Sequence, residues 1–70
     1  MSQVGRKIIA NKVKYLREQK NMKREELSLA LNCDNSYISK LEKCRVNIPI
    51  DRLEDIANFF GIEIKEFFLS

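Results

Sequence analysis

The apolar residues of this chain recur at intervals of three and four in short blocks, and residues that end helices separate the blocks. This spacing places side chains on one face of an α-helix, whereas a strand needs alternation with period two. Only residues 61–65 approach such alternation, and we interpret them as a connection between helices. The pattern predicts an all-α fold, a compact five-helix bundle that forms a single domain over residues 1–70.

Each predicted helix boundary rests on a particular residue type. Asn21, Asn32 and Gly61 follow apolar blocks and are typical of helix C-termini. Asp34 and Asp51 are suited to positions at the start of a helix. The predicted helices span residues 7–20, 24–31, 35–43, 51–60 and a short segment at 64–68.

The charges are distributed unevenly, although the formal net charge is only +3. Residues 1–24 carry eight basic residues and one acidic residue, a net charge of +7. Residues 25–47 have a net charge of −1, and residues 48–70 a net charge of −3. One end of the chain is therefore expected to attract polyanions and the other to repel them.

The composition argues against an enzyme and against a metal-binding protein. The chain has no histidine, and its acidic residues are spread along helix surfaces instead of forming a catalytic cluster. Cys33 and Cys44 are too few for the four ligands of a structural zinc site, so we interpret both as small apolar residues in a reducing cytosol. We expect no enzyme, no cofactor, no metal and no small-molecule ligand.

The longest apolar stretches are triplets, far below the roughly 18 residues of a membrane span. The lysines of the first helix are not expected to leave a broad exposed apolar face, so we expect no membrane partner and no liposome binding. The predicted location is the cytoplasm.

The second and third predicted helices form a recognisable pair. They are short, Asn32, Cys33 and Asp34 join them, and the second has a polar outer face, which fits a helix-turn-helix motif. The run LSLALNCDNSYISKLE, residues 27–42, resembles the motif of the lambda-repressor and Cro family, and the likeness extends over about residues 9–69. Residues 34–39, with Tyr37 before Ile38, look like the small controller proteins of restriction-modification systems and like some biofilm and sporulation repressors.

The resemblance implies a bacterial or phage-encoded, nucleoid-associated protein that binds double-stranded DNA with its third helix in the major groove. Amides pair with adenine, lysine with guanine, and hydroxyls with either partner, so residue chemistry permits base contacts there. The alternative is a solvated polar face. For Tyr37, packing at the edge of the core and contact through its hydroxyl both remain open. The candidate base contacts are Asn35, Ser36, Tyr37, Ser39 and Lys40.

The resemblance also implies contacts with the DNA backbone and one internal ion pair. Arg24 stands where the family commonly has a glutamine that contacts the backbone, and a guanidinium would bind a phosphate more strongly. The basic side chains of Lys12, Lys14 and Lys20 are expected to serve solubility, and longer-range attraction of the basic first helix to DNA is the alternative. The candidate phosphate contacts are Arg24, Lys43, Arg45 and Asn47, and the implied structural ion pair joins Arg17 to Glu42.

Two residues depart from the family pattern. Lys23 replaces the usual serine or threonine at the start of the second helix, which removes a capping acceptor worth about 1 kcal/mol and predicts fraying there until DNA binds. Cys44 replaces the glycine that often follows the third helix. A left-handed backbone at Cys44 would cost roughly 1 kcal/mol.

A single recognition helix covers too few base pairs for useful specificity, so we expect a homodimer on a palindromic operator. We expect the dimer contact to use some of four apolar residues near the C-terminus, and packing in the core is the competing role of each. The four residues are Phe59, Ile64, Phe68 and Leu69. The expected function is transcriptional regulation by occupancy, with repression as the default. A protein-interaction module, such as an antitoxin or an adaptor with the same fold, is the alternative.

Overall fold

The computed structural model describes residues 3–69 of the chain, with side chains from residue 4 onward; residues 1, 2 and 70 of the predicted domain lie outside it. The chain forms four α-helices followed by a 3-10 helix. Residues 3–69 contain no strand. The all-α prediction is confirmed, but the fifth helix is a 3-10 helix. The elements are α1 (Gln3–Gln19), α2 (Arg24–Ala30), α3 (Tyr37–Glu42), α4 (Ile50–Phe60) and the 3-10 helix (Ile64–Phe68).

The core is a single apolar cluster that receives side chains from every element. α3 packs against both α1 and α2, and the 3-10 helix packs against α1 and α4. Phe67 brings the 3-10 helix into the core, where the ring is almost completely buried. The largest fully buried apolar side chains are Phe67, Ile9, Leu27, Ile38, Leu41, Ile56 and Val13.

α1 begins four residues earlier than the spacing of apolar residues predicts. Val4 in its first turn is 69% exposed, so this turn contributes no buried side chain to the pattern. The spacing of apolar residues detects only those turns that bury side chains, so it does not predict this first turn.

α3 begins two residues later than predicted, and its start is capped from another helix. Residues 35 and 36 form a turn, and the N-cap residue Ser36 makes no capping bond through its side chain. Instead, the fully buried Ser28 of α2 accepts a hydrogen bond from the Ile38 amide at 3.0 Å. The same hydroxyl donates to the Arg24 carbonyl at 3.0 Å. A free amide at the start of α3 is thus satisfied by a side chain ten positions earlier.

α2 begins at Arg24 as predicted, and it keeps part of a capping arrangement. The Lys23 side chain supplies no acceptor, but the Lys23 amide donates to Glu26 Oε1 at 2.7 Å. In a capping box, the side chain of the third helical residue accepts a hydrogen bond from the amide of the N-cap residue. Glu26 and Lys23 form this half of the box. It opposes the fraying that the lysine predicts.

All four α-helices end with a residue in the left-handed conformation. In each case this residue's amide bonds to the carbonyl three positions back, and the next amide bonds to the carbonyl five positions back, which is the Schellman motif. Only one of the four is glycine. The left-handed residues are Asn21, Asn32, Cys44 and Gly61, with φ of 54°, 58°, 60° and 68°.

We expect Ser28→Ala to lower the free energy of unfolding by about 1–3 kcal/mol, because the buried Ile38 amide loses its acceptor. Urea denaturation measures the change. Ser36→Ala is the matched control and should change stability by less than about 0.5 kcal/mol, because the Ser36 side chain makes no capping bond. Equal losses in the two variants would contradict the assignment of the cap.

We expect Cys44→Gly to raise the free energy of unfolding by about 0.5–1 kcal/mol, because glycine adopts the left-handed conformation without a Cβ clash. Asn32→Gly is the comparison, with a smaller gain, since asparagine tolerates this conformation. A lower midpoint of thermal unfolding for Cys44→Gly would show that the cysteine side chain contributes more than its backbone costs.

Candidate nucleic-acid interface

A groove between the end of α1, the start of α2 and the start of α3 brings several candidate DNA contacts together. We call it the α2–α3 groove. Arg24, predicted to contact phosphate, lies there with three predicted base contacts. The residues that line the groove are Arg17, Glu18, Lys23, Arg24, Glu25, Asn35, Ser36 and Ser39.

The candidate base contacts other than Tyr37 are accessible from the outside. Asn35 and Lys40 are exposed, whereas Ser36 and Ser39 are half-buried in the wall of the α2–α3 groove. Ile38 and Leu41 point into the core and fix the rotation of α3. The outer face of α3 therefore presents hydroxyl and ammonium groups, with an amide at its leading end.

Tyr37 does not belong to this accessible set, which corrects its place among the candidate base contacts. Its hydroxyl oxygen is buried and has no hydrogen-bond partner among the described residues. The Arg52 guanidinium of α4 lies over its ring, 5.4 Å from the ring centroid. Burial raises the pKa of the Tyr37 phenol, and the nearby Arg52 charge opposes the rise. Of the two roles left open for Tyr37, the structure shows packing.

Glu42 holds two arginines at the end of α3. Arg17 Nε donates to Glu42 Oε2 at 2.8 Å and Arg17 Nη2 to Oε1 at 3.2 Å, with side chains only 9% and 5% exposed. The hydrogen bond to Glu42 raises the pKa of Arg17, so this buried guanidinium stays charged. Arg17 Nη1 also donates to the Met22 carbonyl at 2.8 Å. The structure thus brings together the two residues assigned to the internal ion pair.

Arg24 shares this carboxylate. Its Nε donates to Glu42 Oε1 at 3.1 Å, and its side chain is 49% exposed. The prediction assigned Arg24 to a phosphate and did not include this pairing. The ion pair orients Arg24 along the α2–α3 groove while the side chain remains accessible to solvent.

The loop after α3 carries the remaining candidate phosphate contacts. Lys43, Arg45 and Asn47 are all exposed. Asn47 Oδ1 accepts a hydrogen bond from Arg6 of α1, so the first helix holds the loop. Sequence reasoning missed Arg6, because no local pattern connects residues 41 positions apart.

The four residues assigned to the dimer contact are divided between two grooves and the core. Phe68 and Leu69 are 52% and 60% exposed and belong to an apolar groove, which we call the α1 apolar groove. Phe59 is 37% exposed and borders a different groove, with Leu31 and Asp55. Ile64 packs against the core instead. The residues that line the α1 apolar groove are Ile8, Asn11, Lys12, Tyr15, Phe67, Phe68 and Leu69.

The α1 apolar groove also corrects the expectation for the first helix. Ile8 and Tyr15 are 41% and 55% exposed, so the lysines of α1 do leave apolar surface uncovered. The Lys12 ammonium lies 5.6 Å from the centroid of the Tyr15 ring and borders this surface. An exposed apolar surface of this kind is a common place for protein contacts.

Other site chemistry is sparse in the part of the chain that the structure describes. Cys33 and Cys44 are free, and burial raises the pKa of the Cys33 thiol. No group of three or more metal-ligating side chains occurs among residues 3–69. Over the same residues, no helix combines the length and the apolar character needed to cross a bilayer.

Comparisons with known proteins are consistent with this geometry. A family model described as Helix-turn-helix matches residues 13–67. An uncharacterized HTH-type transcriptional regulator of Methanocaldococcus jannaschii is 32% identical over 59 residues, which are 84% of this chain and 89% of the relative. Control protein C.BamHI of Bacillus amyloliquefaciens is 31% identical over 62 residues, 87% of this chain and 76% of the relative. The crystal structure of the hypothetical transcription factor NHTF from Neisseria matches with a TM-score of 0.88 and 25% identity, over 100% of this chain and 82% of that chain.

We expect Tyr37→Phe to leave stability at neutral pH unchanged within about 0.5 kcal/mol or to raise it, because the lost hydroxyl has no partner. The raised pKa of Tyr37 adds a pH dependence. Above about pH 10 the unfolded phenol releases its proton before the folded one, so wild-type stability falls as pH rises through this range.

Tyr37→Phe should lose less stability than wild type between about pH 9 and pH 11, as urea denaturation at each pH measures. Tyr15→Phe is the matched control, since that ring is exposed. Identical pH profiles for Tyr37→Phe and wild type would contradict the buried position of the phenol.

Proposed function

This chain belongs to the helix-turn-helix family of transcriptional regulators, and we propose from that premise that it binds a palindromic DNA operator as a homodimer, with α3 in the major groove. Membership confirms the resemblance read from residues 27–42, and control proteins among the relatives agree with the resemblance to controller proteins. The family and these relatives are DNA-binding regulators of transcription and not enzymes.

The observation that carries the proposal is the α2–α3 groove, which places Arg24 beside Asn35, Ser36 and Ser39. A protein that reads DNA needs contacts that fix its register on the backbone and contacts that reach base edges. Arg24 is suited to the first role, and the polar side chains of α3 to the second. One groove thus combines both kinds of contact at the leading end of α3.

In this proposal the base contacts are Asn35, Ser36, Ser39 and Lys40. Lysine pairs with guanine, asparagine with adenine, and the serine hydroxyls accept or donate according to the base. Ser36 and Ser39 are half-buried, so their short side chains extend little beyond the protein surface. Only a base edge that comes close to this surface could reach their hydroxyls.

The phosphate contacts flank α3 on both sides. Arg24 precedes it, and the loop with Lys43, Arg45 and Asn47 follows it. A guanidinium has five N–H donors, so pairing with Glu42 through Nε leaves donors for a phosphate. The hydrogen bond from Arg6 to Asn47 holds the loop near the position where it meets the backbone.

A homodimer is required because one half-site carries too little information. The exposed rings Phe59 and Phe68, together with Leu69, are the proposed contact residues, and Ile64 is left out because it packs against the core. Occupancy of an operator near a promoter blocks polymerase, so repression is the proposed outcome. Protein concentration then sets the degree of regulation.

A second candidate function has one observation in its favour. The α1 apolar groove exposes Ile8, Tyr15, Phe68 and Leu69, which suits a protein-interaction module such as an antitoxin or an adaptor. Salt separates the two functions, because affinity for DNA falls steeply with salt when phosphates are neutralised. A shallow dependence of DNA affinity on salt would favour the interaction module.

Selection of bound sites from random duplex DNA tests the proposed function. We expect an inverted repeat, and Ser39→Ala combined with Lys40→Ala should weaken its binding about tenfold or more, because two base contacts are lost. Lys12→Ala is the matched control and should retain the repeat, since Lys12 lies at the α1 apolar groove. Recovery of a single half-site would contradict the dimer, and equal retention of all sequences would contradict sequence-specific binding.

A further inference from the structure

Arg52 in the first turn of α4 contacts three parts of the molecule, although it lies outside the α2–α3 groove. Its Nη1 donates to the Leu31 carbonyl at 3.1 Å, its guanidinium lies over the Tyr37 ring, and it pairs with Asp55 at 3.5 Å. We propose that Arg52 is a positioning residue that holds α3 at the angle at which it meets DNA, an inference that rests on the proposed function.

The first contact fixes the end of α2. Leu31 is the C-cap residue of α2, where carbonyl groups lack partners within the helix. A guanidinium that donates to such a carbonyl forms a charge-assisted bond and complements the negative end of the helix dipole. Arg52 therefore joins the end of α2 to the start of α4.

The second contact fixes the start of α3. Tyr37 is the first residue of this helix, and no capping bond from the Ser36 side chain restrains it. The Arg52 guanidinium lies 5.4 Å from the ring centroid, within the range of a cation–π interaction. The hydroxyl oxygen at the tip of this ring is buried, and the residue as a whole is half-buried. Arg52 thus restrains the start of α3 in addition to the Ser28 cap.

The third contact orients Arg52 itself and connects it to a proposed dimer residue. Asp55 lies one turn later on α4, and its carboxylate limits the positions that the guanidinium takes. Leu31, Asp55 and Phe59 line one groove, so the proposed contact residue Phe59 borders the same site. A partner subunit placed against Phe59 would rest on α4, the helix that carries Arg52.

Arg52→Met tests the proposal, because methionine keeps an apolar stem and removes the charge and the donors. We expect affinity for the selected inverted repeat to fall about tenfold, the loss expected from one misplaced base contact. Affinity for random duplex DNA and its salt dependence should stay unchanged, because Arg52 contacts no phosphate in this proposal. The affinity of Arg52→Lys for the repeat should lie between those of wild type and Arg52→Met, since lysine donates to a carbonyl but has no planar group to stack.

Lys65→Met is the matched control, since it removes a surface charge that pairs with Glu63 far from α3 in the chain. It should change neither affinity. All measurements are made at a temperature where circular dichroism shows each variant folded. Equal losses of affinity for the repeat and for random DNA, or no loss for either, would overturn the positioning role.

A second measurement does not depend on DNA. Amide hydrogen exchange of the free protein should be faster in α3 of Arg52→Met than in α3 of wild type. A small amount of urea is added to the more stable of the two proteins, so that both have the same free energy of unfolding. Unchanged exchange in α3 would overturn the proposal. A wild-type chain that selects no DNA sequence would contradict the proposed function, whereas faster exchange in α3 would still support the restraint by Arg52.

Discussion

The arrangement of α2 and α3 depends on one buried hydroxyl. Ser28 donates to a carbonyl of its own helix and accepts from the amide of Ile38, so the two helices share a single polar atom within an apolar core. A buried amide without a partner is costly, and a rotation of α3 that carries the Ile38 amide away from Ser28 would break this bond. The polar face that α3 presents to the outside is therefore determined by an interaction on its inner side.

Electrostatic contacts at the other end of α3 complete this constraint. Glu42 receives Arg17 from α1 and Arg24 from the start of α2, so one carboxylate joins three helices. The two arginines differ in exposure, and this difference separates their roles. The buried one stabilises the fold, and the accessible one stands at the edge of the proposed DNA contact. A negative charge at this point orients basic groups that would otherwise repel each other.

Local chemistry made much of the fold predictable. The left-handed residues Asn21, Asn32 and Gly61 mark the ends of three helices in the sequence, because few residue types accept that conformation. The pair of Arg17 and Glu42 came from the family resemblance. Contacts between distant residues were not predictable, since neither the Ser28 cap of α3 nor the bond from Arg6 to Asn47 leaves a local signal. The same holds for the site: packing and base contact both stayed open for Tyr37 in the sequence, and its buried hydroxyl became visible only in the structure.

The four left-handed helix ends have a consequence for how quickly this regulator forms. Each chain reversal is specified by adjacent residues and closes its own hydrogen bonds, without waiting for a distant segment. Helical domains whose contacts are mostly close in sequence cross low barriers and fold in microseconds to milliseconds. Newly synthesised copies would then fold on a timescale far shorter than that of synthesis, so folding itself would add little to the delay of the response.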